Sequence, residues 1–187
     1  MPPKVQITKE DIVNTALCLI RTSGEHAINA RAVAAALNCS TQPIFSNFAT
    51  MEELQKAVIL AAYELYVNFL KKEAESGKYP EYKAFGMAYI RFAMEEKELF
   101  KLLFMRDRTG EDLSPSSDFE KSVEIIMKAN NISREKAMLI HLETWTCVHG
   151  IGVMIATSFL TLDWDLISNM ISDVYLGLRA RHLSEEK

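Results

Sequence analysis

The segment Asn29-Ala-Arg-Ala-Val-Ala-Ala-Ala-Leu-Asn38-Cys-Ser-Thr-Gln-Pro-Ile-Phe-Ser-Asn-Phe48 reads as two short helices joined by a tight turn. Asn29 can cap the first helix, because its side-chain oxygen can accept from an N–H that has no intrahelical partner. The alanine-rich run from Ala30 to Leu37 combines strong helix propensity with very small side chains. Asn38 falls where that helix must stop, and asparagine tolerates the left-handed backbone such a turn needs. Ser40 or Thr41 can cap the second helix, and Pro43 is tolerated in its first turn, where no intrahelical N–H bond is lost. Val33, Ala34, Leu37, Ile44 and Phe48 supply an apolar seam between the two. This is the pattern of a helix-turn-helix, whose second helix can enter the major groove of DNA.

The surrounding chain has 187 residues, enough for one ordinary domain or a small module joined to a larger one. Apolar residues make up 49%, ample for a buried core, while seven glycines and five prolines are too few for a turn-rich β protein. The expected class is all-α. No run of 18 uninterrupted apolar residues appears, and the opening Met-Pro-Pro-Lys lacks a signal-peptide core, which predicts a cytoplasmic chain with no membrane partner. Cys18, Cys39 and Cys147 are widely spaced in apolar helical contexts, as expected of small hydrophobes rather than a disulfide or zinc set. Net charge is −4, and residues 1–60 hold five Lys and Arg against five Asp and Glu, so the helix-turn-helix region is neutral. DNA affinity would then rest on a few placed contacts and on doubling the head in a dimer.

Working outward, Thr8-Lys9-Glu10-Asp11 is a helix start, with the stripe Ile12, Val13, Ala16, Leu17 and Ile20 behind it and a stop at Ser23-Gly24. Thr50 and Glu53 stand in capping-box register ahead of a long helix to Ser76-Gly77, a connector by geometry. Two helices follow, Glu81 to Ala93 and Glu95 to Arg106, with a bend near Met94. Asp107 to Ser116, containing Gly110 and Pro115, reads as the one long loop. Ser117 to Glu120 forms another capping box, opening a helix that breaks at Asn130-Asn131. Ser133 caps a helix from Arg134 to about Leu160, and Asp163 caps the last. Nine helices are expected. They divide into a DNA-binding head, residues 1–49, and a larger helical domain, residues 50–187, with helix 50–76 as the connector. The last two helices are apolar on more than one face, which predicts a four-helix homodimer interface. Gly150, Gly152 and Ala156 are small enough to let another helix approach closely.

The segment from Thr8 to Val58 resembles the TetR family of transcriptional regulators, through Ala34, the turn ending at Ser40, Phe45, Phe48, the acidic pair Glu52-Glu53 and Leu54. Trp145-Thr-Cys-Val-His149-Gly150 is similar to the Trp-His-Gly signature of one group of C-terminal domains in that family. Lys97-Glu-Leu-Phe-Lys-Leu-Leu-Phe104 looks like the segment preceding it. The resemblance implies a dimeric one-component regulator, a repressor by default, that binds a palindromic operator and is released when a small-molecule effector in the C-terminal domain changes the spacing of the heads. Three residues depart from the pattern, of which Asn38, in place of the family's turn glycine, is compatible with the same backbone. Phe45 stands where the family often has a phosphate-contacting tyrosine, and Met51 where it often has a lysine. Weaker non-specific binding and a shallower salt dependence follow, by about 0.9 in slope for each phosphate that goes unneutralised.

The candidate DNA-contacting set is Asn29, Arg31, Ser40, Thr41, Gln42, Pro43, Phe45, Asn47 and Thr50. Gln42 can pair bidentately with adenine, Thr41 and Asn47 can reach bases or phosphates, and Arg31 suits a phosphate. Phe85, Tyr89, Phe92, Phe100, Phe104, Trp145 and His149 are candidates to line an effector cavity, although aromatic residues at this spacing also describe plain core. His141 and Glu143, like Cys147 and His149, are two residues apart and do not share a helix face, so no metal site and no cofactor is expected. No paired carboxylates, nucleophile–base set or glycine-rich phosphate loop points to an enzyme. The competing class is a helical protein-interaction adaptor whose head does not bind DNA.

Overall fold

Nine α-helices build the computed structural model, which describes residues 7–109 and 117–184 and holds no strand among them. They are α1 (Lys9–Ser23), α2 (Ala30–Ala36), α3 (Gln42–Asn47), α4 (Met51–Glu75), α5 (Glu81–Glu95), α6 (Lys97–Phe104), α7 (Ser117–Asn130), α8 (Arg134–Ala156) and α9 (Trp164–Ser184), with a 3-10 turn at Glu25–Ala27. The all-α expectation therefore holds. By packing, the chain divides into two units. The first runs through Val67 and takes in Glu96–Arg106; the second comprises Asn68–Glu95 and the chain from Asp107 onward.

In the first unit, Thr8 opens α1 with a reciprocal cap. Its hydroxyl accepts from the Asp11 N–H at 3.1 Å, and Asp11 accepts from the Thr8 N–H at 2.9 Å, satisfying two donors that the helix leaves unpaired. The stripe Ile12, Ala16, Leu17 and Ile20 is buried, as its spacing predicts, together with Val33, Ala34, Ile44, Phe48, Leu54 and Val58. Helix α6 adds Leu99, Phe100, Leu102 and Leu103 to the buried set and packs on α1. Nε and Nη2 of Arg21 each donate to the Glu96 carboxylate at 2.7 Å, fixing the start of α6 to the last turns of α1. Gly24 ends α1 at φ +77°, and a Cβ there would lie 3.2 Å from a carboxylate oxygen of Glu98. Glycine suits both constraints.

In the second unit α5 packs against α7, α8 and α9, burying Ala84, Met87, Ala88, Tyr89, Ile90, Phe92 and Ala93. Gly86 marks the close approach: a Cβ there would meet Val148 Cγ2 at 3.4 Å and Ile171 Cδ1 at 3.7 Å. Val123, Ile126, Ile132, Ala137 and Ile140 form a second apolar cluster, covered by Tyr82, Phe119 and Tyr175. The start of α9 is held by aromatic and charged contacts. Arg91 lies 4.3 Å over the Trp164 ring, donates to Glu73 at 3.0 Å, and the Trp164 indole donates to Tyr79 Oη at 3.0 Å.

Three boundaries differ from the sequence expectation. The break between α5 and α6 falls at Glu96, whose backbone is not helical (φ −123°, ψ 52°), rather than near Met94. Helix α8 ends at Ala156 instead of running to Leu160. Ser158 adopts φ +57°, and the N–H groups of Ser158 and Phe159 turn back to Ile155 and Met154, closing the helix. Ser117 is itself helical, so it does not stand at a cap position. Of the loop expected from Asp107 to Ser116, Asp107 closes a short turn by accepting from Thr109 at 2.8 Å, whereas Gly110 and Pro115 lie outside the described residues.

Candidate nucleic-acid interface

The junction between α2 and α3 is set by backbone hydrogen bonds. Asn38 takes φ +52°, its N–H donates to Ala35 O at 3.1 Å, and the Cys39 N–H reaches back to Ala34 O at 2.9 Å. This paired closure satisfies carbonyls at the helix end and reverses the chain within two residues. At the other end of α2, Asn29 accepts from the Ala32 N–H at 2.9 Å. Ile44 and Phe48 then anchor one side of α3 in the core, as the seam predicted, although Leu37 is only half-buried.

Anchoring Ile44 and Phe48 leaves Gln42, Phe45 and Ser46 on the exposed side, at the three- and four-residue spacing of a shared face. Phe45 is 49% exposed, a large apolar ring standing out of a polar surface. The Ser46 hydroxyl donates to Gln42 O at 2.9 Å. Asn47 is half-buried, and its amide donates to Pro43 O at 2.8 Å and Ile7 O at 3.4 Å, so its donors serve the head rather than an outside partner. Thr41 stands at the position before α3, but its helical backbone (φ −72°, ψ −12°) keeps the hydroxyl from capping, contrary to the expectation for it. Ser40 and Arg31 are exposed, and Pro43 is half-buried in the first turn. Thr50 accepts from the Glu53 N–H at 3.2 Å, while Glu53 accepts from the Ala49 N–H at 2.7 Å, one residue earlier than a reciprocal box would have it.

Part of the positive charge in this unit is paired internally. Arg21 is held by Glu96, which raises its already high pKa, and Lys101 pairs with Glu98 at 2.6 Å. Lys9, 3.8 Å from Glu53, and the exposed Arg31 and Lys56 remain as surface cations.

The seven effector-cavity candidates are divided between the two units. Phe100 and Phe104 lie in the first unit, ring against ring at 5.2 Å, and Phe104 meets Tyr66 edge-on. Phe92 is fully buried against Phe69, and Phe85 lies beneath Lys121. Trp145 is 42% exposed on the outer side of α8, stacked at 5.0 Å on His149. His149 Nδ1 in turn lies at hydrogen-bond distance, 2.7 Å, from the Tyr89 hydroxyl. Burial lowers the pKa of His149 and raises that of Tyr89, so the pair is neutral imidazole and neutral phenol near pH 7.

A second pair of this kind was not among the candidates. Tyr82 Oη lies 2.9 Å from His141 Nδ1, with Phe119 edge-on to the imidazole. The chain of contacts continues through Tyr175, whose hydroxyl accepts from Asn130, and Asn130 accepts from Arg179 at 2.5 Å. Burial holds His141 down to about 4. The signal in the sequence is a matched spacing, Tyr82 and Tyr89 seven apart on α5 against His141 and His149 eight apart on α8. His141 is buried and Glu143 exposed, so the two side chains lie on different faces of α8.

Helix α8 is the one described helix long and apolar enough to cross a membrane by length and composition. Its buried face carries His141 and Thr144 and packs on α5, α7 and α9, which makes it a core helix of the second unit. Its other face carries Met138, Leu139, Leu142 and Trp145, all exposed, and α9 exposes Leu166 and Leu176.

No family model matches the chain. No curated protein matches it either. Solved structures do. A protein of unknown function from Rhodococcus sp. RHA1 aligns with a TM-score of 0.73 at 18% identity, over 94% of this chain and 97% of the other. A TetR-like transcriptional regulator from the same organism aligns at 0.68 and 14% identity, over 94% and 96%. A member of the TetR family from Streptomyces coelicolor A3 aligns at 0.61 and 15% identity, over 89% and 96%. The chain therefore has the fold of the TetR-like regulators across nearly its whole length.

Proposed function

We propose that the protein is a cytoplasmic, homodimeric transcriptional regulator, a repressor by default, that binds a palindromic operator through α1–α3 and is released by a small molecule bound in the second unit. The observation that carries this reading is the closed turn at Asn38. It presents Gln42, Phe45 and Ser46 on one exposed face of α3 in a chain with the TetR-like fold. Domains of 1–49 and 50–187, with α4 as connector, suit this function. Arg31 serves a phosphate, and Gln42 and Phe45 the bases.

Dimerisation through α8 and α9 is supported by their exposed apolar faces. Leu142 at 52% and Trp145 at 42% exposure stand with Leu139 at helical spacing along one face of α8, and α9 exposes Leu166 and Leu176. Burial stabilises by about 25 cal/mol per Å² of apolar area, so covering this face with its symmetry mate favours association. No heavy atom within 4 Å would meet a Cβ at Gly150, which leaves that position open to a partner helix.

A protein-interaction adaptor is the second reading, favoured by the exposed Phe45 on a head with few uncommitted cations. Gel-shift of the purified protein on the intergenic DNA upstream of its own gene separates the two. A sequence-specific, salt-sensitive complex is expected. Its absence, with and without candidate effectors, overturns the regulator reading.

A further inference from the structure

We propose that Gln42 and Phe45 together read an adenine and a thymine within one or two base-pair steps of each other, with Phe45 selecting the thymine 5-methyl group. This rests on the DNA-binding reading and concerns which bases the head selects. The exposed face of α3 has three side chains, and one of them, Ser46, has its single proton engaged within the helix. The Ser46 hydroxyl proton is spent on Gln42 O, while the flanking Asn47 donates to Pro43 O and Ile7 O.

The Gln42 side-chain amide makes no hydrogen bond among the described residues and is exposed. A carbonyl and an NH₂ side by side match adenine N6 and N7 in the major groove. One turn along the same face, Phe45 offers a ring with no donor or acceptor, 49% exposed. Against a guanine or cytosine edge this ring strips water from polar groups and returns no hydrogen bond, a net cost. The 5-methyl of thymine is the apolar group the major groove offers, so that is where the ring gains by burial. Residues three apart on a helix stand about 5–6 Å apart at Cβ, against about 3.4 Å of rise per base pair. The two contacts therefore fall on adjacent or next-but-one base pairs. No cation stands on the exposed face of α3, so the discrimination is carried by an amide and a hydrocarbon and not by charge.

The test uses the full-length protein and an operator selected from a randomised duplex library. Each thymine of the half-site is replaced in turn by deoxyuridine, which removes only the methyl group, and each adenine by 7-deazaadenine, which removes N7. At one thymine per half-site, deoxyuridine is expected to weaken binding about fourfold, the loss of one buried methyl. In Phe45→Ala that sensitivity disappears, while the 7-deazaadenine penalty at a neighbouring adenine persists. In Gln42→Ala the pattern is reversed. Phe45 is exposed and outside the core, so its variant folds; Phe45→Leu, still apolar, keeps the deoxyuridine penalty. A selected operator that binds equally well with deoxyuridine at every thymine overturns this inference and leaves the regulator reading standing. A penalty that persists in Phe45→Ala does the same. Failure to select any operator sequence overturns both.

Discussion

The Tyr82 hydroxyl lies 2.9 Å from Nδ1 of His141, joining α5 to α8 across 59 residues of chain at a site where the imidazole is 8% exposed. The imidazole is neutral, and its tautomer sets which of the two groups donates. The Tyr89–His149 bond repeats the arrangement two turns further along both helices. Removing the hydroxyl, in Tyr82→Phe, leaves the buried ring nitrogen without this partner, at a cost of about 1–3 kcal/mol. For a chain of this length that lowers the melting temperature by several degrees, roughly 2–4 °C per kcal/mol. Differential scanning calorimetry of Tyr82→Phe checks it, and an unchanged melting temperature removes the bond from the stabilising set.

The same histidine sets a pH dependence. Its folded pKa of about 4 is below the ordinary value of 6.5, because burial disfavours the charged ring. Between those values the unfolded chain binds a proton that the folded chain does not. Stability from this group is therefore complete above pH 6.5 and is lost as pH falls toward 4. Between about pH 7 and pH 4.5 the loss from His141 is roughly 2–3 kcal/mol. His141→Gln removes the titrating group while keeping a polar side chain. Urea midpoints of the variant should fall less between these two pH values than those of the wild type, and parallel losses would refute the assignment.

What the sequence reveals about this fold depends on distance along the chain. The caps at Thr8, Asn29, Ser133 and Asp163 are local, each closing on an N–H two or three residues ahead, and all four are found where their residue types predict. The end of α8 is also local but is masked. Phe159 and Leu160 continue the apolar run past a serine whose left-handed backbone no propensity announces. The inward face of α8 is illegible for a related reason. Both of its faces are apolar, so spacing cannot say that Ile140, Val148 and Ile151 are inside and Leu142 and Trp145 outside. The grouping of α6 with the N-terminal helices depends on Arg21 meeting Glu96, 75 residues away, and the tyrosine–histidine pairs are nearly as remote. In the head, the anchoring of Ile44 and Phe48 follows from spacing. The internal use of Asn47 does not, because Ile7 lies 40 residues earlier.

Asn38 holds the turn of the head with φ +52°, a conformation that glycine adopts without the steric cost of a Cβ. The strain in asparagine is modest and that in a β-branched residue larger. Asn38→Gly is expected to stabilise the protein by up to about 0.5–1 kcal/mol, set against the greater freedom glycine gives the unfolded chain. Asn38→Val should destabilise it by about 1–2 kcal/mol or more. Denaturant midpoints of the two variants should straddle that of the wild type. Both falling on the same side would mean that the turn backbone does not control this region.

Leu142 is 52% exposed within a single chain, one turn from Leu139 and three residues before Trp145 on the outer face of α8. A charge placed there is solvated in the isolated chain, and surface substitutions of that kind usually stay within about 0.5 kcal/mol. If the face is covered by its symmetry mate, the two-fold operation brings two such charges into one apolar interface. Each must then lose water without a partner, a cost of several kcal/mol in effective terms. Leu142→Glu should therefore dissociate a dimer while leaving helical content intact. Sedimentation velocity at low micromolar concentration is expected to show a dimer for the wild type and a monomer for the variant. Its operator affinity should fall with it, since two linked heads gain from effective concentration and one does not. Identical sedimentation of the two proteins, whether both dimeric or both monomeric, would place the dimer contact elsewhere or remove it.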